Sequence, residues 1–234
     1  MEKVAIITGA AGNGIGRSTA LSLAKAGFKT IINYRSNENN ARTICSYINN
    51  NGGDAGAIKA NVFIRDDCDY LIDETLKRHN RIDACIIGPG AGWNPEIPEN
   101  LDPEKALSDI MQEIKPIYFF LPKIIKAMKK NGGSIVGIAS NPDMPSPAYS
   151  YNAAKNSRIN ALLGLVGPCW KQKIRINIVA PGPVDHFNDF QSAINALDKR
   201  DFSKISPQDV AETISFLCSD KGAYLTGNVI KFNF

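Results

Sequence analysis

Short apolar runs alternate with longer amphipathic stretches from one end of this chain to the other. Val4-Ala5-Ile6-Ile7-Thr8 opens the pattern. The run is too short for a helix and rich in β-branched residues, which predicts a buried strand. Residues 15–26 follow with apolar positions at helical spacing (Ile15, Ala20, Leu23, Ala24), and Gly27 is placed to end that helix. Further strands are predicted at 30–33, 57–60, 83–87, 134–138, 175–179 and 229–232, with helices at 39–50, 66–79, 103–130, 150–170 and 207–219. Pro116 and Pro122 are expected to kink or break the long 103–130 segment. Residues 183–206 carry His186, Phe187, Phe190 and Phe202 and have the look of a loop that closes over a substrate.

Mainly apolar strands, separated by amphipathic helices, imply a parallel sheet covered on both faces. Seven such strands suggest a doubly wound sheet of the Rossmann type, which binds ligands outside the carboxyl ends of its strands. The 234 residues suit one α/β domain spanning 1–234. A core of that size buries roughly three-quarters of the surface the unfolded chain exposes, so neither a disulfide nor a metal is needed to hold it.

Composition narrows the function. The net charge of +4 is small and its basic residues are scattered, which implies a solvated surface and no nucleic-acid partner. Five cysteines stand at 45, 68, 85, 169 and 218 without a close pair, against zinc spacing and against a CxxC redox motif. Two histidines, His79 and His186, do not make a His-rich metal site. No apolar run approaches about 18 residues, and Met1-Glu2-Lys3 leads directly into a strand. A cytoplasmic protein with reduced thiols and no membrane partner is expected.

Two clusters carry chemistry. Gly9, Gly12, Asn13, Gly14, Ile15 and Gly16 lie between the first strand and the first helix. Glycines there let the backbone approach a pyrophosphate, whose charge sits at the helix N-terminus. Tyr151 and Lys155 are four apart on a predicted helix and so share a face. A free phenol has a pKa of about 10, and an ammonium one turn away favours the phenolate. Ser140 follows the strand predicted at 134–138 and emerges at the sheet's carboxyl edge, where its hydroxyl can hold a substrate oxygen beside the phenol. The second strand ends Asn33-Tyr34-Arg35-Ser36-Asn37 with no acid before Glu38. A carboxylate there would hold the ribose of NAD and repel a 2′-phosphate. Arg35 and Ser36 instead offer donors to a phosphate, so NADP(H) is expected over NAD(H).

These pieces resemble the short-chain dehydrogenase/reductase family over essentially the whole chain. The resemblance also rests on Ile178-Val179-Ala180-Pro181-Gly182, on Ser219-Asp220, and on Tyr224-Leu225-Thr226-Gly227. It is nearest to the 3-oxoacyl-carrier-protein reductase type. The family implies NAD(P)(H), a Ser140–Tyr151–Lys155 centre, a small carbonyl or alcohol substrate, and a homodimer or homotetramer. It further implies cofactor contacts from Asn61, Val62, Gly88, Pro89, Gly90, Pro181, Gly182 and Val184.

Several positions depart from the family pattern. The glycine loop has one extra residue between Gly9 and Gly14, and Ile87-Gly88-Pro89-Gly90 replaces the usual Asn-Asn-Ala-Gly. Asn61 stands for an aspartate, and His186 aligns with a threonine. The Ser140-to-Tyr151 stretch is two residues shorter than usual, and the chain ends Lys231-Phe232-Asn233-Phe234. Glu113 aligns with a helix asparagine that supports the proton relay, which places it beside Lys155 unless a helix rotated at Pro116 turns it to water. Trp93, Tyr149 and His186 are candidates to line the substrate pocket. The expected activity is reduction of a carbonyl, or oxidation of the matching secondary alcohol. The alternatives are a cofactor-binding sensor or partner with weak or lost turnover, and a lyase or epimerase without net redox change.

Overall fold

Ile6 and Ile7 show the logic of the fold: neighbours in sequence, they face opposite sides of strand β1 (Val4–Ile7), and both are wholly buried. A strand sends alternate side chains to opposite faces, so a strand this apolar needs cover on both. In the computed structural model, which describes residues 2–144, 146–199 and 203–233, that cover comes from two layers of helices. The elements run β1, α1 (Ile15–Lys25), β2 (Lys29–Tyr34), α2 (Glu38–Asn50), β3 (Ala55–Lys59), α3 (Arg65–His79), β4 (Ala84–Ile87) and α4 (Pro103–Met128). They continue β5 (Gly133–Ile138), α5 (Tyr149–Leu163), α6 (Val166–Trp170), β6 (Ile174–Pro181), α7 (Phe190–Asn195), α8 (Pro207–Cys218) and β7 (Val229–Phe232).

All seven strands are parallel, in the order β3-β2-β1-β4-β5-β6-β7. Ile6 lies level with Ile31 of β2 and Cys85 of β4, and these pack against Leu71 and Ile72 of α3 and Phe120 and Ile124 of α4. On the other face, Ile7, Ile32 and Ile86 pack against Leu23 of α1, Ile44 of α2 and Ile214 of α8. The doubly wound seven-stranded sheet read from the sequence is the one observed.

Three local expectations are corrected. Pro116 and Pro122 sit inside α4, which runs unbroken through both. Each lacks the N–H that would bond a carbonyl one turn back and costs about 3 kcal/mol. Ile117, Phe120, Leu121, Ile124 and Met128 are buried along the same helix, and each contributes roughly 1.5–3 kcal/mol. Packing wins. The predicted helix at 150–170 is two: α5 ends at Leu163, and α6 begins at Val166. Pro168 has no N–H for the Gly164 carbonyl, and Gly164 is itself a poor helix former, so the ladder fails there.

The loop at 183–206 contains α7, and its Phe187 and Phe190 pack down on the α1–α2 side of the core. Phe190 also meets Tyr47 edge to face and lies under the Arg17 guanidinium. These rings anchor the segment. Phe202 lies outside the described residues. Among the described residues, no helix is long and apolar enough to cross a membrane, and no group of three or more His, Cys, Asp or Glu is placed to hold a metal ion.

Because Phe120 is buried between α4 and the sheet, Phe120→Ala is expected to destabilise the protein by about 3–5 kcal/mol. A lowered urea midpoint at unchanged slope is the signature; an unshifted midpoint would mean the site collapses without loss.

Candidate active site

β1 and β4 are neighbours, yet α1 and α4 leave them for opposite faces. Where strand order reverses in this way, the loops part and a crevice opens at the carboxyl edge. Two polar side chains shape it. Thr8 Oγ1 donates to the Ile86 carbonyl at 2.8 Å and accepts from the Gly88 N–H at 3.1 Å. Asn33 is buried at the end of β2; its Oδ1 accepts from the Gly9 N–H at 3.2 Å, and its Nδ2 donates to the Ala60 carbonyl at 3.0 Å. Gly9 has φ +66°, and a Cβ there would stand 2.7 Å from Pro89 Cγ. Any larger residue would push apart the two loops of the crevice.

The N-terminus of α1 points into this crevice. Gly14 is its N-cap, no side chain caps the first turn, and no acid lies in it. Its first amides are therefore available to an anion. Beside it a cavity of about 400 Å³ is lined by Gly9, Gly12, Arg35, Ser36, Asn61, Val62, Pro89 and Gly90, with Gln112 from α4. Uncapped amides, a glycine-only approach and a cavity with an exposed arginine at its mouth fit the diphosphate and adenosine of a dinucleotide. Asn13 departs from the expected set. It does not line this cavity, and its Oδ1 and backbone carbonyl accept from Arg17 at 3.4 Å and 3.3 Å.

A second cavity, of about 560 Å³, lies beyond Ile15 at the ends of β5 and β6. Ser140, Tyr151 and Lys155 line it together, with Pro181, Gly182 and Val184 on the β6 side. Tyr151 and Lys155 meet because α5 places residues four apart on one face; Lys155 Nζ is 5.2 Å from the centre of the Tyr151 ring. Trp93 and His186 also line this cavity. Trp93 is tied by its indole N–H to Ser146 Oγ at 3.0 Å, and the His186 ring lies against Gly14. Tyr149 is exposed on α5 and takes no part in the lining.

Glu113 does not face water. It is wholly buried on α4, with Lys155 Nζ at 2.8 Å from Oε1 and Arg158 Nε at 2.6 Å from Oε2. The latter is a charge contact off the hydrogen-bond direction. This changes the electrostatics expected from spacing alone. Burial pushes the Tyr151 phenol above its ordinary value, and the Glu113 charge adds to the rise. The hydrogen bond with Ser140 and the Arg158 charge oppose it. Burial also lowers the Lys155 ammonium, as does the Arg158 charge, while Glu113 holds it up.

Several residues of the site escape spacing arguments. Arg158 shares the α5 face with Ile159 and Leu162, and a cation among apolar positions is the one signal that marks it. Asn33 is a buried amide that follows Ile31 and Ile32 in β2. Asn141 is buried beside the second cavity and donates to the Phe232 carbonyl at 3.2 Å, which ties that wall to β7. Met144 fills the space over Gly182, where a Cβ would stand 2.3 Å from its sulfur.

The same geometry has counterparts among known proteins. A family profile described as Enoyl-(Acyl carrier protein) reductase matches residues 9–233. The 3-oxoacyl-[acyl-carrier-protein] reductase of Synechocystis sp. is 32% identical over 235 residues, covering 96% of this chain and 93% of that protein. Two solved structures share the fold. Acetoin dehydrogenase from Enterobacter cloacae superposes with a TM-score of 0.85 at 23% identity, covering 99% of this chain and 94% of that one. A 7α-hydroxysteroid dehydrogenase, solved with NADH and 7-oxo glycochenodeoxycholic acid, gives 0.84 at 22% identity, covering 98% and 92%. The chain belongs to the short-chain dehydrogenase/reductase family and is an NAD(P)-dependent oxidoreductase.

Proposed function

We propose that this protein reduces a small carbonyl compound to a secondary alcohol with NADP(H) as its preferred cofactor, and that Tyr151 is the proton donor. The observation that carries the reading is the meeting of Ser140, Tyr151 and Lys155 in one cavity at the strand ends, next to the uncapped N-terminus of α1. A bound nicotinamide would supply the hydride to the carbonyl carbon. Ser140 would hold the carbonyl oxygen, and Tyr151 would pass its phenolic proton to that oxygen as negative charge develops there. The raised Tyr151 pKa supports this direction. A phenol that stays protonated through neutrality is ready as an acid, so reduction should hold its rate there and fall only in alkali.

The cavity walls include Ile15, Trp93, Met144, Pro147 and Val184, with Asn141, Asn152 and His186 as polar points. That balance suits a carbonyl on a mainly apolar body. The Synechocystis relative's name makes 3-oxoacyl esters the first compounds to try. A second reading has its own support: Glu113 offsets the Lys155 charge, which fits a cofactor-binding protein with weak turnover. Tight NADPH binding without its oxidation across a panel of ketones and 3-oxo esters would favour it.

Tyr151→Phe removes only the titrating hydroxyl, so kcat for NADPH oxidation with ethyl acetoacetate should fall by about 10²–10⁴-fold while NADPH affinity is kept. A near-normal kcat would refute the assignment. Lys155 would hydrogen-bond the nicotinamide ribose as well as face the phenol, so Lys155→Met is expected to weaken NADPH binding as well as slow turnover; a lowered rate at unchanged affinity would rule out the ribose contact. Titrating the wild type with both cofactors should show NADPH binding more tightly than NADH, by a margin that shrinks as salt rises. Arg35→Ala should weaken NADPH by about tenfold and leave NADH nearly untouched. Equal affinities in the wild type would end the claim.

A further inference from the structure

Arg158 is wholly buried, one turn beyond Lys155 on the inner face of α5. Its Nη1 donates to the carbonyls of Ile87 at 3.3 Å, Gly88 at 3.0 Å and Ile138 at 2.8 Å, and its Nη2 donates to that of Pro89. Glu113 works on the same loop from α4: its Oε1 accepts from the Ala91 N–H at 2.7 Å as well as meeting Lys155. Gly90 lies between, where a Cβ would stand 2.1 Å from Oε1. The loop at 87–91 is therefore wrapped around a buried ion pair, and only glycine at 90 leaves space for the carboxylate. Pro89 and Gly90 of this loop line the cofactor crevice.

Stability alone is a weak reason for such a pair, because apolar residues of similar volume often serve as well or better. Its charge balance supplies another. Lys155 and Arg158 are cations and Glu113 is an anion, so the buried group carries one net positive charge. Without Arg158, Lys155 and Glu113 would cancel.

We propose that Arg158 is a positioning residue with two tasks: it holds loop 87–91 against the cofactor crevice, and it offsets Glu113 so that one net positive charge remains behind Tyr151. This rests on the reading of Tyr151 as the proton-transfer group. The charged and titratable groups around Tyr151 are Lys155 and Arg158 on its own helix and Glu113 on α4, and the neutral Ser140 hydroxyl after β5 hydrogen-bonds the phenol. His186 shares its cavity. Near the start of α5, Glu96 accepts from the Ser150 N–H and is paired with Lys105, which also binds Asp109. Of these, Arg158 draws the Tyr151 phenol down and Glu113 pushes it up.

The test uses the whole protein, with ethyl 3-hydroxybutyrate and NADP⁺ as the oxidation pair. Tyr151 then acts as a base, so kcat/KM rises with pH as the phenol ionises. Arg158→Met should move that limb to higher pH by about one unit, and Glu113→Gln should move it to lower pH by a similar amount. The double variant should return close to the wild type. Hydrogen exchange of the Gly88, Gly90 and Ala91 amides, measured without cofactor, should quicken by about tenfold in Arg158→Met and stay fast in the double variant. Arg158→Lys keeps the charge but loses the fork, so it should quicken exchange and leave the limb in place; it serves if Arg158→Met does not fold. The inference is overturned if neither Arg158 variant changes exchange, if Arg158→Met leaves the limb unmoved, or if Arg158→Met and Glu113→Gln move it the same way. Exchange needs no turnover, so a wild type that fails to oxidise the alcohol would count against the reductase reading while the clamp is still tested.

Discussion

The reversal of direction between β1 and β4 is the constraint on which the rest of this molecule depends. Both strands are buried between the same helical layers, but α1 returns over one face and α4 over the other. The loops that follow them cannot pack on each other along their whole length, and a crevice opens between them. Thr8 and Asn33 satisfy the strand-end groups that would otherwise be left unpaired. The amides at the start of α1 are left for an anion.

The side of the second cavity is organised differently. There the chain buries three charges behind a half-buried phenol that lines the second cavity. An isolated buried charge is strongly disfavoured, and each one here is answered by another charge or by carbonyls. Glu113 faces Lys155 and Arg158, while Arg158 is further satisfied by backbone oxygens from β4, β5 and the loop between β4 and α4. The same contacts that neutralise the charges also fix the loop. Electrostatics and loop geometry are thus one arrangement, in which a change to one charge is felt at the crevice and at the phenol together.

The segment after β6 encloses the site from a third side. His186 reaches toward Gly14 while Phe187 and Phe190 pack into the core below. Arg17 donates to the Asp189 carbonyl at 3.3 Å and to that of Asn13 at 3.3 Å. The segment is held to the glycine loop by that arginine, so the wall of the second cavity and the cradle of the first are mechanically joined.

Much of this architecture is legible in the order of residues alone. Val4–Ile7 and Ala84–Ile87 are apolar at successive positions, which only a strand buried on both faces requires, so the parallel sheet follows from the pattern. The spacing of Tyr151 and Lys155 needs nothing but helical geometry to bring them together, and the glycines before Ile15 need only the strand and helix around them. What depends on residues distant in sequence is decided by packing. Pro116 and Pro122 remain helical because the sheet beneath α4 gains more from its apolar side chains than the prolines forfeit. Phe190 turns inward because Tyr47 and Arg17 are there to receive it. Tyr149 faces solvent although it starts the same helix as Tyr151. Glu113 and Arg158 lie 45 positions apart, on helices whose contact only the tertiary fold creates. Local periodicity determines which face a residue occupies along its own element, whereas the charge that meets it there is set by the three-dimensional arrangement of the other elements.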